Sequence, residues 1–248
     1  MRRIFVDKIK SKIVIGGDDA HHIGYALRAR VGDSVTVADA AGDVATMRVS
    51  SFTRDTVTLE LVARDDDAAK TESPIIITLA MCLPKSDKMD MIVQKATELG
   101  VTQIQPLESE NCVVKYDEKK RKAKREKWQK IAEEAAKQCA RTKIPRVNEI
   151  MLFSDFIKRV RSESSTNVAL CYESEKTLTI KDWLREKSPN DGERYTVIVG
   201  AEGGFTSSEA AEAEAIGIAS VTLGPRILRC ETAAIAAVSI VQYEKGDL

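Results

Sequence analysis

The sequence predicts an α/β protein with a mainly parallel sheet, preceded by a small β-rich domain. Short runs of alternating apolar residues crowd the first 70 of its 248 residues. Beyond residue 74, apolar strands alternate with longer amphipathic segments. Alternation at period two is typical of half-buried strands, and strand–helix alternation is typical of layered α/β folds. We therefore predict two domains, residues 1–70 and 74–248.

The N-terminal domain is predicted to be a small barrel. Three runs place their apolar side chains on one face of a strand: residues 34–37, 45–49 and 56–61. Gly32-Asp33 and Gly42-Asp43 are turn pairs between strands. One helix is predicted over 19–30, and the charged segment 64–74, which ends in proline, is interpreted as the linker.

The C-terminal domain contains five predicted strands: residues 75–83, 103–107, 167–172, 195–199 and 219–223. An amphipathic helix is predicted over 86–99, with Gly100 as its stop. The capping box Thr206–Glu209 begins a helix that ends at Gly217. The last helix, about 231–243, is apolar nearly all round, so it is either buried or packed on a partner subunit.

The charges cancel over the whole chain, with 38 basic against 38 acidic residues. Zero net charge argues against coating nucleic acid by bulk electrostatics. The distribution is uneven, however: residues 1–30 carry net +4 and residues 115–130 net +6, against −4 over 200–248. Two basic segments, one on each predicted domain, suit a nucleic-acid backbone, although a charge run alone is most often a solvated helix.

Several classes of protein are disfavoured by the sequence. The charged N-terminus has no signal-peptide core, and the longest uncharged stretch near the C-terminus, 232–243, is shorter than the ~20 residues of a membrane span. Five cysteines without a CxxC pair indicate reduced thiols in a cytoplasmic protein. Two histidines, His21 and His22, do not favour a metal site or a Ser-His-Asp triad.

The segment 200–204 is a glycine-rich loop between a predicted strand and the capped helix. Ligands of open α/β sheets bind at the carboxyl ends of strands, where glycines allow the backbone to approach them. The spacing fits neither a Walker loop nor GxGxxG. A ligand site and a simple strand-to-helix turn are therefore both consistent with it.

The segment 223–233 also follows a strand and precedes a helix, and it carries Arg226, Arg229 and Glu231. A helix start by itself explains an acidic residue such as Glu231. The two arginines gain nothing there, which favours contact with a ligand, a phosphate or a carboxylate. On a separate helix Glu134, Gln138 and Arg141 form one polar face, which is usually only solvated surface.

Five stretches carry a family resemblance, and they follow one another in order along the chain. The first two are His21-His22 through Leu27-Arg28 with Gly32-Asp33, and then Lys95-Ala96-Thr97-Glu98-Leu99-Gly100; the third is Glu134-Ala135 with Gln138 and Arg141. The last two are Gly200-Ala201-Glu202-Gly203-Gly204, and then Leu223-Gly224 with Arg226-Ile227-Leu228-Arg229-Cys230-Glu231-Thr232-Ala233. Together they resemble the RsmE family, small-subunit (16S) ribosomal RNA uridine-N3 methyltransferases of the SPOUT superfamily. The family usually has proline, serine and threonine where this chain has Ala201, Cys139 and Cys230.

The resemblance implies a PUA-like RNA-binding barrel at 1–70 and a SPOUT methyltransferase domain at 74–248, with a deep trefoil knot about 195–235. It implies a homodimer that acts on 16S rRNA within the 30S subunit, with S-adenosyl-L-methionine as cofactor and no metal. The implied cofactor-binding residues are Leu170, Tyr172, Glu173, Gly200, Glu202, Gly203, Gly204, Leu223, Gly224, Ile227, Leu228, Thr232 and Ala233. The implied RNA-binding residues are Arg2, Arg3, His21, His22, Arg28, Lys85, Gln138 and Arg141.

A mechanism follows as a hypothesis from this resemblance. The N3 imide of uridine is mostly protonated at neutral pH, so Arg226 or Arg229 would stabilise the negative charge that develops on the uracil. Glu231 would accept the proton if its surroundings raise its basicity. Three alternatives remain: a SPOUT enzyme that methylates another RNA position, a ribosome-assembly protein without catalysis, and a small-molecule α/β enzyme.

Overall fold

The chain divides into two units in a computed structural model that describes residues 3–65, 71–162, 166–187 and 193–248. One unit joins Met1–Glu72 with Ala136–Ile144, and the other joins Ser73–Ala135 with Pro145–Leu248. The sequence did not anticipate that a short segment from the middle of the chain would belong with the N-terminal unit.

The N-terminal unit is built on a five-stranded sheet: β1 (Ile4–Val6), β2 (Lys12–Gly16), β3 (Ser34–Asp39), β4 (Val44–Phe52) and β5 (Thr56–Arg64). The strand order is β1-β3-β4-β5-β2, with β1 parallel to β3 and the remaining pairs antiparallel. The sheet is a curled half-barrel, in keeping with the small barrel that we predicted, and its edge strands β1 and β2 do not pair with each other in the described residues. Its concave core contains Ile23, Val37, Met47 and Leu59.

The predicted helix over 19–30 is shorter and less regular than expected. It consists of α1 (Gly17–His21) followed by a π-helical turn, His22–Ala26. The Leu27 N–H donates to the His22 carbonyl at 2.9 Å, an i→i+5 bond that widens the last turn. Arg28 then takes a left-handed φ of 51°, which ends the helix.

The C-terminal unit is a seven-stranded parallel sheet with helices between its strands, which confirms the predicted α/β class. Its strands are β6 (Ile76–Cys82), β7 (Gln103–Glu108), β8 (Arg146–Val147), β9 (Met151–Leu152), β10 (Thr166–Cys171), β11 (Arg194–Val199) and β12 (Ala219–Val221). Its helices are α2 (Lys88–Glu98), α3 (Glu118–Gln138), α4 (Phe153–Ser162), α5 (Ile180–Arg185), α6 (Ser207–Ala215) and α7 (Cys230–Lys245). The last residues of α3 belong to the N-terminal unit.

The order β12-β10-β11-β6-β7-β8, with β9 also paired to β7, determines where the loops lie. Cys171 is in register with both Val199 and Val221, so β10, β11 and β12 end at the same level. The loops that follow these three strands therefore meet at one edge of the sheet. Beyond β12, the Thr222 N–H donates to Leu178 O at 2.9 Å, which keeps two of these loops side by side. The trefoil knot stays a prediction.

Helix α7 packs against α2, α5, β6 and β11. Ala234, Ala237, Val238 and Val241 form its buried side, which explains much of its apolar composition. Thr232 and Tyr243 remain exposed on it. None of the helices in the described ranges is long and apolar enough to cross a membrane.

Glu72 ties the two chain segments of the N-terminal unit together. Its carboxylate accepts hydrogen bonds from Arg141 Nη2 at 2.7 Å, from the Thr142 N–H at 2.7 Å and from the Lys143 N–H at 3.0 Å. Arg141 is 4% exposed, so this charge pair is largely removed from water. Burial alone would raise the pKa of Glu72, but the hydrogen bonds from Arg141 and the two N–H groups outweigh it and lower the pKa.

We expect Glu72→Gln to reduce the free energy of unfolding by about 2–3 kcal/mol at pH 7, because it leaves the Arg141 guanidinium buried without its counter-charge. Urea unfolding measures the change. The control is Glu60→Gln, which removes an exposed pair to Lys12 at 3.4 Å and is expected to change stability by less than about 1 kcal/mol. Equal losses in the two variants would contradict the assigned role of Glu72.

The same pair predicts a pH dependence. The pKa of Glu72 is lower in the folded than in the unfolded chain, so its contribution is present above the ordinary pKa of glutamate. That contribution is lost as the pH falls through the lowered value. The stability difference between the wild type and Glu72→Gln should therefore shrink on acidification, which urea unfolding over a pH series would detect.

Candidate active site

The three loops that meet at the sheet edge enclose a cavity of about 510 Å³. The loop after β10 contributes Tyr172, Glu173 and Lys176, and the glycine loop after β11 contributes residues 200–202 and 204. The remaining wall is the segment 222–230 after β12, together with Ala233 of α7 and Lys88 of α2. A concave site of this size is typical for a ligand of a few hundred daltons.

Most of the residues implied as cofactor-binding line this cavity: Tyr172, Glu173, Gly200, Glu202, Gly204, Leu223, Gly224, Ile227, Leu228 and Ala233. Three do not. Leu170 is buried in the sheet core, Gly203 packs against Asn111, and Thr232 is exposed on α7. Cavity-lining residues that sequence reasoning missed include Lys88, Cys171, Lys176, Thr222 and Cys230.

The glycine loop is a place where larger residues do not fit. Gly204 has a φ of 61°, and a Cβ there would collide with the carboxylate of Glu173. A Cβ on Gly203 would lie 2.9 Å from Asn111 Cβ, while the Asn111 amide donates to Gly203 O at 2.9 Å. The loop then leads into α6, which the predicted capping box of Thr206 and Glu209 begins.

The segment after β12 presents two cations. Arg226 and Arg229 are both exposed, line the cavity and have no ion-pair partner among the described residues. Arg229 is also the N-cap of α7, at the positive end of the helix dipole. Ile227, between them, is 87% exposed. The loop thus places two unneutralised guanidinium groups beside the cavity, where they could meet an anionic or polarised ligand.

Glu231 is paired with a cation beside the cavity. Its carboxylate lies 3.2 Å from Lys88 Nζ. The hydrogen bond from its own N–H, followed by those from Cys230 and Lys88, lowers its pKa in spite of burial. The hypothesis that Glu231 takes the N3 proton depended on a raised basicity, and this structure lowers it instead.

Lys88 also lies 2.8 Å from Glu202 Oε1, so one ammonium group bridges Glu202 and Glu231. The hydrogen bonds to Glu202 and then to Glu231 raise the pKa of Lys88, which keeps it charged. For Glu202, burial acts to raise the pKa, but the hydrogen bonds from Lys88 and the Lys85 N–H leave it lowered.

Two cysteines line the cavity as neutral groups. Burial raises the pKa of Cys171 to about 12 and, with the hydrogen bond to Glu231, that of Cys230 to about 12. A thiol with so high a pKa is a poor nucleophile. Within the described ranges there is also no group of three or more His, Cys, Asp or Glu residues that could hold a metal ion. The cavity therefore offers cations, carboxylates and apolar surface, and its two thiols are not activated as nucleophiles.

Comparison with known proteins decides the family. The model of the RNA methyltransferase domain matches residues 71–242. The ribosomal RNA small subunit methyltransferase E of Bacillus subtilis is 34% identical to this chain, and the alignment covers all of both proteins. The chain belongs to the RsmE family of RNA methyltransferases.

Solved RsmE-like structures have the same fold. The ribosomal RNA small subunit methyltransferase E of Neisseria gonorrhoeae, bound to S-adenosyl methionine, is 29% identical and superposes with a TM-score of 0.88 over 100% of this chain and 99% of that one. A putative methyltransferase from Legionella pneumophila, in complex with the same cofactor, is 29% identical with a TM-score of 0.86 over 99% and 98%. The fold of this chain is therefore that of RsmE-family methyltransferase structures.

The RNA-binding residues that RsmE resemblance implies are not all on the surface. His21, Arg28, Lys85 and Gln138 are exposed, and His22 is half-buried. Arg2 lies outside the described residues. Sequence reasoning missed Tyr25, which is 72% exposed and stacks on His21 with ring centroids 4.4 Å apart. Its signal was an aromatic residue inside the His21–Arg28 motif of the RsmE family.

Arg3 and Arg141 need correction as RNA-binding candidates. Arg3 is 8% exposed, and Arg141 is 4% exposed and committed to Glu72. Neither guanidinium is offered to a large polyanion, because each is covered by the N-terminal unit. Arg141 is instead part of the cluster that joins the two segments of that unit.

The basic run of this RsmE-family chain separates into internal and external cations. Arg121 donates to the Tyr116 and Ile150 carbonyls and pairs with Glu108, and Arg125 donates to the Val147 carbonyl. The exposed lysines with no ion-pair partner among the described residues are Lys115, Lys119, Lys120, Lys122 and Lys130. Helix α3 and the segment before it therefore carry a positive surface.

Proposed function

We propose that this protein transfers the methyl group of S-adenosyl-L-methionine to N3 of a specific uridine in 16S ribosomal RNA of the small subunit. The observation that carries the proposal is the cavity at the ends of β10, β11 and β12, with Arg226 and Arg229 unneutralised at its mouth. Membership of the RsmE family and the cofactor-bound relatives support the same reaction.

The residues of the cavity fit the cofactor. Leu223, Ile227, Leu228 and Ala233 supply apolar surface for an adenine ring, and Glu173 supplies a carboxylate for hydroxyl or ammonium donors. The small wall at Gly200 and Gly204 lets the backbone approach closely. When bound, S-adenosyl-L-methionine supplies a methyl group on a sulfonium, which is already a good leaving group.

The protein's task is then to make uridine N3 nucleophilic. Release of the N3 proton to solvent water puts negative charge on the uracil carbonyl oxygens, and a guanidinium aimed at that charge stabilises it as it develops. Arg226 and Arg229 are available for this role because neither is neutralised by another described residue. Glu231 serves this reaction poorly as a base, since its pKa is lowered.

We propose that two surfaces contribute to RNA recognition, one on each unit. On the N-terminal unit the stacked His21 and Tyr25 rings and the exposed Arg28 offer a base platform with a neighbouring cation. On the C-terminal unit, Lys85 and the exposed lysines of α3 offer contacts for phosphates. Target bases in ribosomal RNA must leave their stack before N3 is accessible.

We further propose a cytoplasmic homodimer. The five cysteines are all free, as expected for a reducing compartment. Ile227 and Tyr243, at 87% and 75% exposed, are large apolar side chains that a second copy would cover. We also propose that the segment at about 195–235 forms a trefoil knot.

The deciding experiment is incubation of the purified protein with labelled S-adenosyl-L-methionine and 30S subunits from a strain that lacks the modification. Mapping the product should locate the label on N3 of one uridine. Label on a ribose oxygen or on another base would favour a SPOUT enzyme of different specificity. Absence of transfer would favour a ribosome-assembly role.

We expect Gly204→Ala to raise the Kd for S-adenosylhomocysteine by about tenfold or more, because the new Cβ forces the cavity-lining Glu173 carboxylate out of its position. Isothermal calorimetry measures this. Gly217→Ala is the matched control: its φ of 88° makes alanine comparably strained, but nothing lies within 4 Å of the new Cβ. It should lose some stability and keep its affinity; equal affinity in both variants would remove the glycine loop from the cofactor site.

Arg226→Ala and Arg229→Ala separate two roles of the cations. If either guanidinium stabilises the uracil anion, its loss should lower kcat by about 10²–10³-fold while changing the Kd for S-adenosylhomocysteine little. Steady-state kinetics and calorimetry on the same preparations give both quantities. Parallel losses of kcat and affinity would reassign the arginine to cofactor binding.

Tyr25→Ala is expected to raise KM for the ribosomal substrate by roughly fivefold or more, since base–aromatic stacking contributes about 1–3 kcal/mol. The value of kcat at saturating RNA should stay close to that of the wild type. Tyr25→Phe keeps the ring and should keep KM. An unchanged KM in Tyr25→Ala would exclude the platform.

A further inference from the structure

Lys88 occupies a position that its own helix does not favour. It is the first residue of α2, where the helix dipole is positive and a cation is disfavoured. Its Nζ nevertheless lies 2.8 Å from Glu202 Oε1 and 3.2 Å from Glu231 Oε2. Lys88 therefore pairs with the glycine loop and with the first turn of α7, and helix stability does not explain the residue.

The turn before α2 is shaped for the same carboxylate. The Lys85 N–H donates to both oxygens of Glu202 at 3.2 Å, although the two residues are 117 positions apart in the sequence. Between Lys85 and Lys88, Ser86 adopts a φ of 59°, a left-handed conformation that non-glycine residues rarely take. The strained turn directs one backbone donor and one ammonium group at Glu202.

The two carboxylates belong to different elements beside the cavity. Glu202 is the central residue of the glycine loop, and Glu231 is two residues beyond Arg229 in the first turn of α7. The side chains of Lys88, Glu202 and Glu231 are only 28%, 29% and 15% exposed, so this pairing is partly shielded from water. Shielding strengthens the attraction of each pair compared with a solvated surface pair.

We propose that Lys88 is a positioning residue, which fixes the glycine loop relative to the arginine-bearing segment and so aligns the bound cofactor with Arg229. This inference rests on the proposed methyl transfer and adds the part played by Glu231. The Glu231 carboxylate acts through Lys88, as the anchor of the α7 end of the bridge. Without the ammonium group two carboxylates would face each other, and their repulsion would separate the loops.

The test compares Lys88→Met with Lys95→Met. Lys95 lies on the same helix and pairs with Glu98 at 2.9 Å, but it does not line the cavity. We expect Lys88→Met to raise the Kd for S-adenosylhomocysteine and also to lower kcat at saturating cofactor and RNA, by about 10- to 100-fold for kcat. Lys95→Met should change neither quantity. Wild-type values in Lys88→Met would overturn the proposal.

Rescue distinguishes charge bridging from packing. Lys88→Arg retains a cation that reaches both carboxylates and should keep most of the affinity and of kcat. It also serves if Lys88→Met folds poorly, which its circular dichroism and thermal melt would reveal. Equal losses in the arginine and methionine variants would overturn the bridging role.

Double-mutant cycles assign each arm of the bridge. Glu202→Gln should weaken S-adenosylhomocysteine binding, and Glu231→Gln should lower kcat with a smaller effect on binding. Each should add little to the loss already caused by Lys88→Met, because the coupled interaction is already gone. Multiplying losses in both cycles would overturn the proposal. A wild-type protein that binds no cofactor would end the proposed function itself, which is a separate outcome.

Discussion

The parallel register of β10, β11 and β12 is the constraint on which the site depends. Cys171 is level with Val199 on one side and Val221 on the other, so three strands distant in sequence end together. The loops that follow these strands therefore lie next to one another and line one cavity. The sequence of each loop determines its own chemistry, but the hydrogen-bonding register of the sheet determines which loops lie next to each other.

The arginines of this protein fall into two groups, according to whether they have partners within the protein. Arg121, Arg125 and Arg141 are consumed internally by carbonyls and carboxylates, and they act as structural connections. Arg226 and Arg229 line the cavity without such partners in the part of the chain that the structure describes. An even balance of 38 positive and 38 negative residues therefore conceals a division between charge that holds the fold and charge that is available to ligands.

Local patterns predicted local structure well. The predicted strands at 103–107, 195–199 and 219–223 overlap β7, β11 and β12, and the capping box at Thr206 begins α6 as expected. Alternation predicted the small N-terminal barrel, but it does not encode the accumulated curvature that decides whether edge strands meet. Lys88 was missed because its carboxylate partners belong to loops far along the chain, and no periodicity links them. The burial of Arg141 was not predicted, because a polar helical face does not reveal that its partner is Glu72, in the segment that we interpreted as the linker.

The N-terminal unit is discontinuous in sequence, since it includes Ala136–Ile144, which follows the Ser73–Ala135 segment of the C-terminal unit. Besides Arg141, that segment supplies Lys137, whose ammonium group lies 2.9 Å from Asp19. Expression of the first 72 residues by themselves would leave Asp19 and Glu72 without these cations. A gene fusion that moved the N-terminal unit to another catalytic domain would also have to carry the distant segment. The boundary between the two units is therefore not a single point at which the chain could be cut.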